Sequence, residues 1–416
     1  MKLLGVMSGT SLDGIDVVLL EVEEFPVEGA SAGETMGESL EPAADLPRSR
    51  FPSVAWRVSG FLSRPYSGPE REVIREATES GGPRELALLH TRLGEWFSEA
   101  VLELLGTVGE IPQSITVIGS HGQTVWHEPP GGGERGSSLQ LGCPATLAER
   151  TGIDVVSDFR SRDLAAAGHG APLVPWADAV LFRHPSGPRI LQNLGGMGNV
   201  TWLPRLGDPA PILAFDTGPG VALLDAAAEL ATGGDWRYDV DGALASRGKV
   251  SEAVLSRLMA HAFFQEAPPR STGREVFGRG MVEMAVAWMR AEAEAELRPG
   301  DPETGWSDLL ATLTALTARS VGDAYREWVV PRGGQEVFLL GGGARNPALR
   351  NALAEELDPL HLSPGEELGI NPDAREAAAF AVLAWAHLKR LPASLPEATG
   401  SSAPRILGSF TPGIRP

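Results

Sequence analysis

At 416 residues the chain is long enough for two domains of roughly 150–200 residues each, and its 43% hydrophobic content supports packed cores. A net charge of −19 argues against the basic face that a nucleic-acid partner would want, and no apolar stretch approaches the 18–20 residues or so of a membrane span. A single cysteine excludes an internal disulfide and fits a reducing compartment, and the early apolar run is broken by Gly5, Ser8 and Asp13, unlike a leader; the expectation is a soluble cytoplasmic protein.

In chain order, apolar runs at 3–6 and 17–20 flank Gly9-Thr10-Ser11-Leu12-Asp13-Gly14-Ile15-Asp16 and read as a β-hairpin. Residues 28–47 are rich in Gly, Ala, Glu and Pro without periodicity and read as a surface insertion. Leu86, Leu89, Leu93, Phe97 and Val101 recur at helical spacing and predict a helix over 86–105. Residues 115–118 read as a short strand running into a Ser120-His121-Gly122-Gln123 loop, and 131–138 as a flexible hairpin tip. A helix over 146–150 and a strand over 153–156 lead to Asp158. Strand-like runs at 211–215 and 336–340 end in Asp216-Thr217-Gly218-Pro219-Gly220 and Gly341-Gly342-Gly343-Ala344-Arg345-Asn346-Pro347; helical patterns follow over 221–230 and 348–357. Further helices are expected over 250–264, 281–297, 309–328 and 376–388. Strands alternating with helices indicate an α/β fold.

Three glycine-rich turns carry the chemistry. Glycine permits close backbone approach, and N–H groups at a helix start favour an anion. Spaced as they are, the turns suggest one nucleotide held between two lobes. The first is not a Walker A loop, because no Gly-Lys-Ser/Thr follows. Its Gly9, Thr10 and Ser11 suit phosphate oxygens; one of Asp13 and Asp16 orients a phosphate-bound Mg²⁺ through its waters, or each stabilises the turn. Asp216 ends an apolar strand and is either a general base or a cap of the next turn. No metal site beyond nucleotide-bound Mg²⁺ is expected.

These segments resemble the anhydro-N-acetylmuramic acid kinases of the sugar kinase/Hsp70/actin superfamily. The matching stretches are residues 5–16, Gly119-Ser120-His121-Gly122-Gln123-Thr124, Asp158-Phe159-Arg160 with Asp163, residues 170–175, Asn193-Leu194-Gly195-Gly196, Phe215-Asp216-Thr217-Gly218-Pro219-Gly220, Ser271-Thr272-Gly273-Arg274-Glu275 and Gly341-Gly342-Gly343-Ala344. Two positions depart from the family pattern: His169 stands where a Gln is usual, and Met197-Gly198 where Phe-Ser is. The resemblance implies a two-lobed fold, each lobe a mixed five-stranded sheet flanked by helices, with ATP and sugar in the cleft. Lobe one would span 1–160 completed by 377–416, and lobe two 161–376.

The same resemblance implies two catalytic carboxylates, Asp216, which activates a water, and Glu376, near the sugar; read alone, Glu376 is equally a helix N-terminus favoured by the dipole. Residues 9–16, Gly218 and Gly341 to Gly343 would bind ATP. His121, Gln123, Asp158 and Arg160 would bind the sugar, Arg suiting a lactyl carboxylate. Read alone, His121 is a structural hydrogen-bonder and the Asp158–Asp163 cluster a salt bridge between lobes. ATP, Mg²⁺ and an anhydro-amino sugar are the expected small molecules, and a homodimer is left open. The other readings are a conventional hexose or amino-sugar kinase and a non-enzymatic ATP-binding switch of the actin/Hsp70 type.

Overall fold

The computed structural model describes residues 1–9, 12–24, 51–131, 134–293, 297–301 and 305–414; the 28–47 insertion, Thr10 and Ser11 lie outside them. The chain divides into two compact units, Met1–Phe182 with Asp373–Pro416, and Arg183–Pro372. Residues 161–182 and 373–376, assigned to the second lobe on sequence, thus belong with the first unit. A buried ion pair joins two of these pieces. Arg375 Nε donates to Asp178 Oδ1 at 2.9 Å, and Arg375 Nη2 meets Asp178 Oδ2, tying helix Val174–Phe182 to helix Arg375–Leu388.

Unit 1 holds strands β1 (Lys2–Ser8), β2 (Gly14–Glu24), β3 (Val54–Pro65), β4 (Val117–Glu128), β5 (Ser137–Leu141), β6 (Val155–Ser157) and, last in the chain, β12 (Ser409–Thr411). Their order is β12-β6-β4-β1-β2-β3, with β5 on β4. Among the described residues the expected five strands are therefore seven: β5, paired to β4, and the returning C-terminal segment extend the sheet. β4 lies parallel to β1 and β6, and the other pairs are antiparallel. Alternation sorts the two faces of the central strands. Leu4, Val6, Ile15, Val17 and Leu19 pack with Leu93, Phe97 and Val101 of helix Pro83–Val108. On the opposite face Gly5 and Gly119 stand side by side in register. A Cβ on Gly5 would collide with the Ala377 carbonyl, and one on Gly119 with that of Phe380. Helix Arg375–Leu388 therefore lies with its backbone directly on the sheet.

Unit 2 holds β7 (Arg189–Leu194), β8 (Gly198–Leu203), β9 (Leu213–Gly218), β10 (Glu336–Leu340) and β11 (His361–Pro364), in the order β11-β10-β7-β8-β9. β10 is parallel to β7 and β11, and β8 antiparallel to β7 and β9. Ile190, Val200, Trp202, Phe215 and Val337 share a core with helices Ala222–Thr232, Trp306–Ala324 and Pro347–Leu357.

Three expectations change. The Ser120–Gln123 segment is strand, not loop: it lies inside β4, with Gly122 at φ +81° where the register to β1 shifts. The helix expected over 250–264 is two pieces, Glu252–Met259 and a 3₁₀ turn Ala262–Gln265 that His261 caps through the Phe263 amide. Helix Trp306–Ala324 passes into a π-turn, Tyr325–Val329.

The glycine contacts predict opposite outcomes for one substitution. Gly5→Ala should lower stability at or beyond the upper end of the 1–3 kcal/mol or so typical of overpacking, because the obstacle is backbone. Gly106→Ala, on the exposed side of helix Pro83–Val108 with nothing within 4 Å of its would-be Cβ, should raise stability by about 0.5–1 kcal/mol. Denaturant titration of the two variants checks both signs.

Candidate active site

In unit 2 three glycine-rich turns converge at one end of the sheet, where β7, β9 and β10 finish and β8 begins. Ligands of open α/β sheets collect at such carboxyl ends. The Val221 amide donates to Gly195 O at 2.9 Å and the Ala222 amide to Gly196 O at 3.1 Å, which locks the β7–β8 turn to the start of helix Ala222–Thr232. Gly341, at φ +79°, packs against Asn193 and Leu194, and Gly343 against Val221 and Leu194. Gly218 is likewise enclosed, by Ser320 and Phe264. Gly342 alone of the 341–343 run is exposed, with open space where a Cβ would stand. A cavity of ≈ 140 Å³ adjoins the turn, lined among others by Gly341, Arg345, Arg350, Ser363 and Glu366.

Asp216 is held on the strand β9 by the segment 270–272. Its amide donates to Arg270 O at 3.1 Å, and its Oδ2 accepts from the Thr272 amide at 2.8 Å. Among the described residues no donor reaches Oδ1. Burial raises its carboxyl to about 6; the Thr272 amide and the Arg270 charge pull the other way. A carboxylate poised there is mostly ionised at neutral pH yet basic enough to take a proton.

In unit 1 the hairpin β1–β2 closes with the Leu12 amide donating to Gly9 O at 3.2 Å, and Leu12 takes φ +57°. Asp13 is exposed and Asp16 half-buried. Burial raises the Asp16 carboxyl; a Ser63 hydrogen bond opposes this, and the charges of Asp373, Glu376 and Asp13 add to it. Four carboxylates thus share one region of unit 1, with Glu376 exposed in the first turn of helix Arg375–Leu388. Two of the expected nucleotide residues face elsewhere. Ile15 is fully buried in the core, and Gly14 is small because β3 passes over it at Arg64 and Pro65.

The expected sugar ligands divide. His121 is buried, packed 4.6 Å from the Phe380 ring. Its Nε2 lies 2.8 Å from Arg160 Nη2 and its Nδ1 2.8 Å from Gly122 O. Arginine only donates, so Nε2 accepts and Nδ1 carries the proton. Burial first, and Arg160 second, push the imidazole down to about 3, which keeps it neutral. With both nitrogens engaged, His121 holds Arg160 and offers nothing to a ligand. Gln123 is also buried, its Oε1 accepting from Ser8 Oγ at 2.6 Å, while Ser8 meets the Tyr66 hydroxyl at 2.8 Å. Arg160 is further fixed by Gly170 O at 2.7 Å. Burial lowers its guanidinium to about 10 against the pull of Glu376 and Asp163. Asp158 is exposed at φ +54° and accepts from Ser161 Oγ at 2.5 Å; Asp163 is buried and accepts from Thr399 Oγ1 and the Gly170 amide, both in unit 1, so it is no link between lobes.

Sequence reasoning missed Arg270 and the Thr272 amide as partners of Asp216. The Ser271–Glu275 motif was the signal at hand, but it carried no role without the fold.

A family model described as anhydro-N-acetylmuramic acid kinase matches residues 57–413. The chain is 38% identical to the anhydro-N-acetylmuramic acid kinase of Caldanaerobacter subterraneus subsp. tengcongensis over 98% of this chain and 96% of that one. It is 39% identical to that of Gloeobacter violaceus, over 98% of each, and 35% identical to that of Bacillus cereus, over the full length of both. On the strength of these matches the chain belongs to the anhydro-N-acetylmuramic acid kinase family.

Proposed function

We propose that this kinase uses ATP to convert 1,6-anhydro-N-acetylmuramic acid and water into N-acetylmuramic acid 6-phosphate and ADP, a reaction that serves recovery of cell-wall sugars. The observation that carries the reading is Asp216: a carboxylate near the end of β9 with a raised proton affinity, one oxygen bonded to an amide and the other without a donor among the described residues. Asp216 takes a proton from water, and the resulting oxygen bonds to C1 of the sugar. The C1–O6 bond breaks, and O6 becomes bonded to the γ-phosphorus as the bond to ADP breaks. O6 carries no proton in the anhydro ring, so one base serves both bond changes. Catalysis is then positioning plus electrostatic stabilisation.

The first hairpin, with Gly9, Thr10, Ser11, Leu12, Asp13 and Asp16, and the turn at Gly341 to Gly343 are assigned to ATP. Arg160, held in place by His121, is assigned to the carboxylate of the sugar, with Asp158 and Glu376 beside it as polar contacts. Among the described residues no three His, Cys, Asp or Glu side chains converge as a metal cage. Mg²⁺, which keeps much of its water shell, fits instead as a companion of the phosphates. The charges of Asp373, Glu376 and Asp13, which add to the rise that burial imposes on Asp16, are negative charge that the ion would offset, and Asp13 or Asp16 would accept from its waters. When bound, it neutralises charge on the transferring phosphoryl group. Among the described residues no helix is long and apolar enough to cross a membrane.

Turnover in ¹⁸O-water, quenched early, should place label at C1 and none in the phosphate; label absent from C1 would return the reading of an ordinary sugar kinase. Asp216→Asn should lower kcat by about 10²–10⁴, the usual worth of a general base, with nucleotide affinity by calorimetry nearly unchanged. Because the base acts ionised, kcat/KM should fall as pH drops below about 6, approaching tenfold per unit; a rate flat down to pH 5 would exclude this carboxylate as the base.

A further inference from the structure

Asp216 is not held by its own strand alone. Three of its atoms bond to one segment: its amide to Arg270 O at 3.1 Å, its carbonyl to Arg270 Nε at 3.1 Å, and Oδ2 to the Thr272 amide at 2.8 Å. The far end of the Arg270 guanidinium is anchored too. Nη1 donates to Glu266 O at 2.7 Å and lies 3.3 and 3.4 Å from the carbonyls of Phe263 and Phe264. The guanidinium carbon stands 5.3 Å from the Phe215 ring centroid and 4.8 Å from that of Phe263. Arg270 is 8% exposed, so this cation is enclosed by rings and carbonyls, and among the described residues it forms no ion pair with a carboxylate.

We propose that Arg270 is a positioning residue for the reaction, the clasp that carries the Thr272 amide to Asp216 Oδ2 and so assigns the role of base to Oδ1. The inference rests on the reading of Asp216 as the base. A carboxylate free to rotate presents either oxygen in many orientations. One pinned through its amide, its carbonyl and Oδ2 presents a single oxygen in one direction, which is what proton abstraction from a positioned water requires. The fork geometry is what joins the two ends. Nε faces Asp216 while Nη1 faces the 3₁₀ turn Ala262–Gln265 and the residue after it; a lysine, with one nitrogen, cannot do both.

The surroundings fix the expected effect on pH dependence. Arg270 is the charged group acting on Asp216 from the facing segment. Asn199, opposite Asp216 on β8, is uncharged. Glu266 and Glu327 act on Arg270 from behind it. The Arg270 charge and the Thr272 amide both favour the ionised carboxylate, so losing them moves the acid limb of the rate profile to higher pH.

The test is the pH dependence of kcat/KM together with kcat and KM for ATP and the anhydro sugar, measured on Arg270→Met and Arg270→Lys, with thermal unfolding as the check of folding. Arg270→Met should lower kcat about 10²-fold, with each KM within about threefold of the parent and the acid limb displaced upward. Arg270→Lys, which keeps the charge but not the fork, should lower kcat at least tenfold with a smaller displacement of the limb. A folded Arg270→Met with parental kcat and profile, or one whose loss lies wholly in KM, overturns the proposal. If Arg270→Met does not fold, Arg270→Lys decides: kcat within twofold of the parent overturns it. Asp216→Asn in parallel separates the two claims. An inactive Asp216→Asn beside parental Arg270 variants removes the clasp and leaves the base, whereas an active Asp216→Asn removes the base itself.

Discussion

Unit 1 depends on how closely one helix approaches one sheet. Helix Arg375–Leu388 meets β1 and β4 at Gly5 and Gly119 with no side chain between its backbone and theirs. Ala377, Ala378, Ala381 and Ala384, all buried, keep the helix thin along its length. Its larger side chains then find fixed places. Phe380 packs 4.6 Å from the His121 ring and 5.4 Å from Phe159, and Arg375 reaches Asp178. The Arg160 guanidinium is therefore aligned through His121 by a contact that starts at two glycines.

The two candidate sites show burial acting in opposite senses. Desolvation disfavours whichever form is charged. It raises Asp216, making a carboxylate that can accept a proton near neutral pH, and it lowers His121, making an imidazole that stays neutral and only accepts from Arg160. One physical effect thus produces a titrating base in unit 2 and a non-titrating support in unit 1.

Much of this was legible in the sequence, and the limits have physical causes. The β1–β2 hairpin, the strands before Asp216 and Gly341 and the long helices announce themselves by local apolar patterning and glycine. Residues 120–123 did not: Ser, His, Gly and Gln are poor strand formers, and β4 continues through them because β1 and a glycine bulge support it. The inward turn of His121 and Gln123 was equally hidden. Their polar atoms are satisfied by Arg160 and Ser8, 39 and 115 residues away, and no local pattern records such pairs. Arg270 lies 54 residues from Asp216 and was hidden for the same reason. β3 escaped notice because it follows an aperiodic stretch and carries Gly60 and several polar residues in its interior.

The division of the chain bears on how it is made. Unit 2 is one uninterrupted stretch, Arg183–Pro372, while unit 1 is assembled from residues on either side of it. During synthesis β1 and β4 leave the ribosome with the face at Gly5 and Gly119 uncovered, and the helix that seats there is translated only after all of unit 2. At elongation rates of about 5–20 residues per second, that face waits on the order of ten seconds or more for its cover, long compared with hydrophobic collapse. The growing chain is most exposed to misassociation during this interval, and it is there that a chaperone has something to hold.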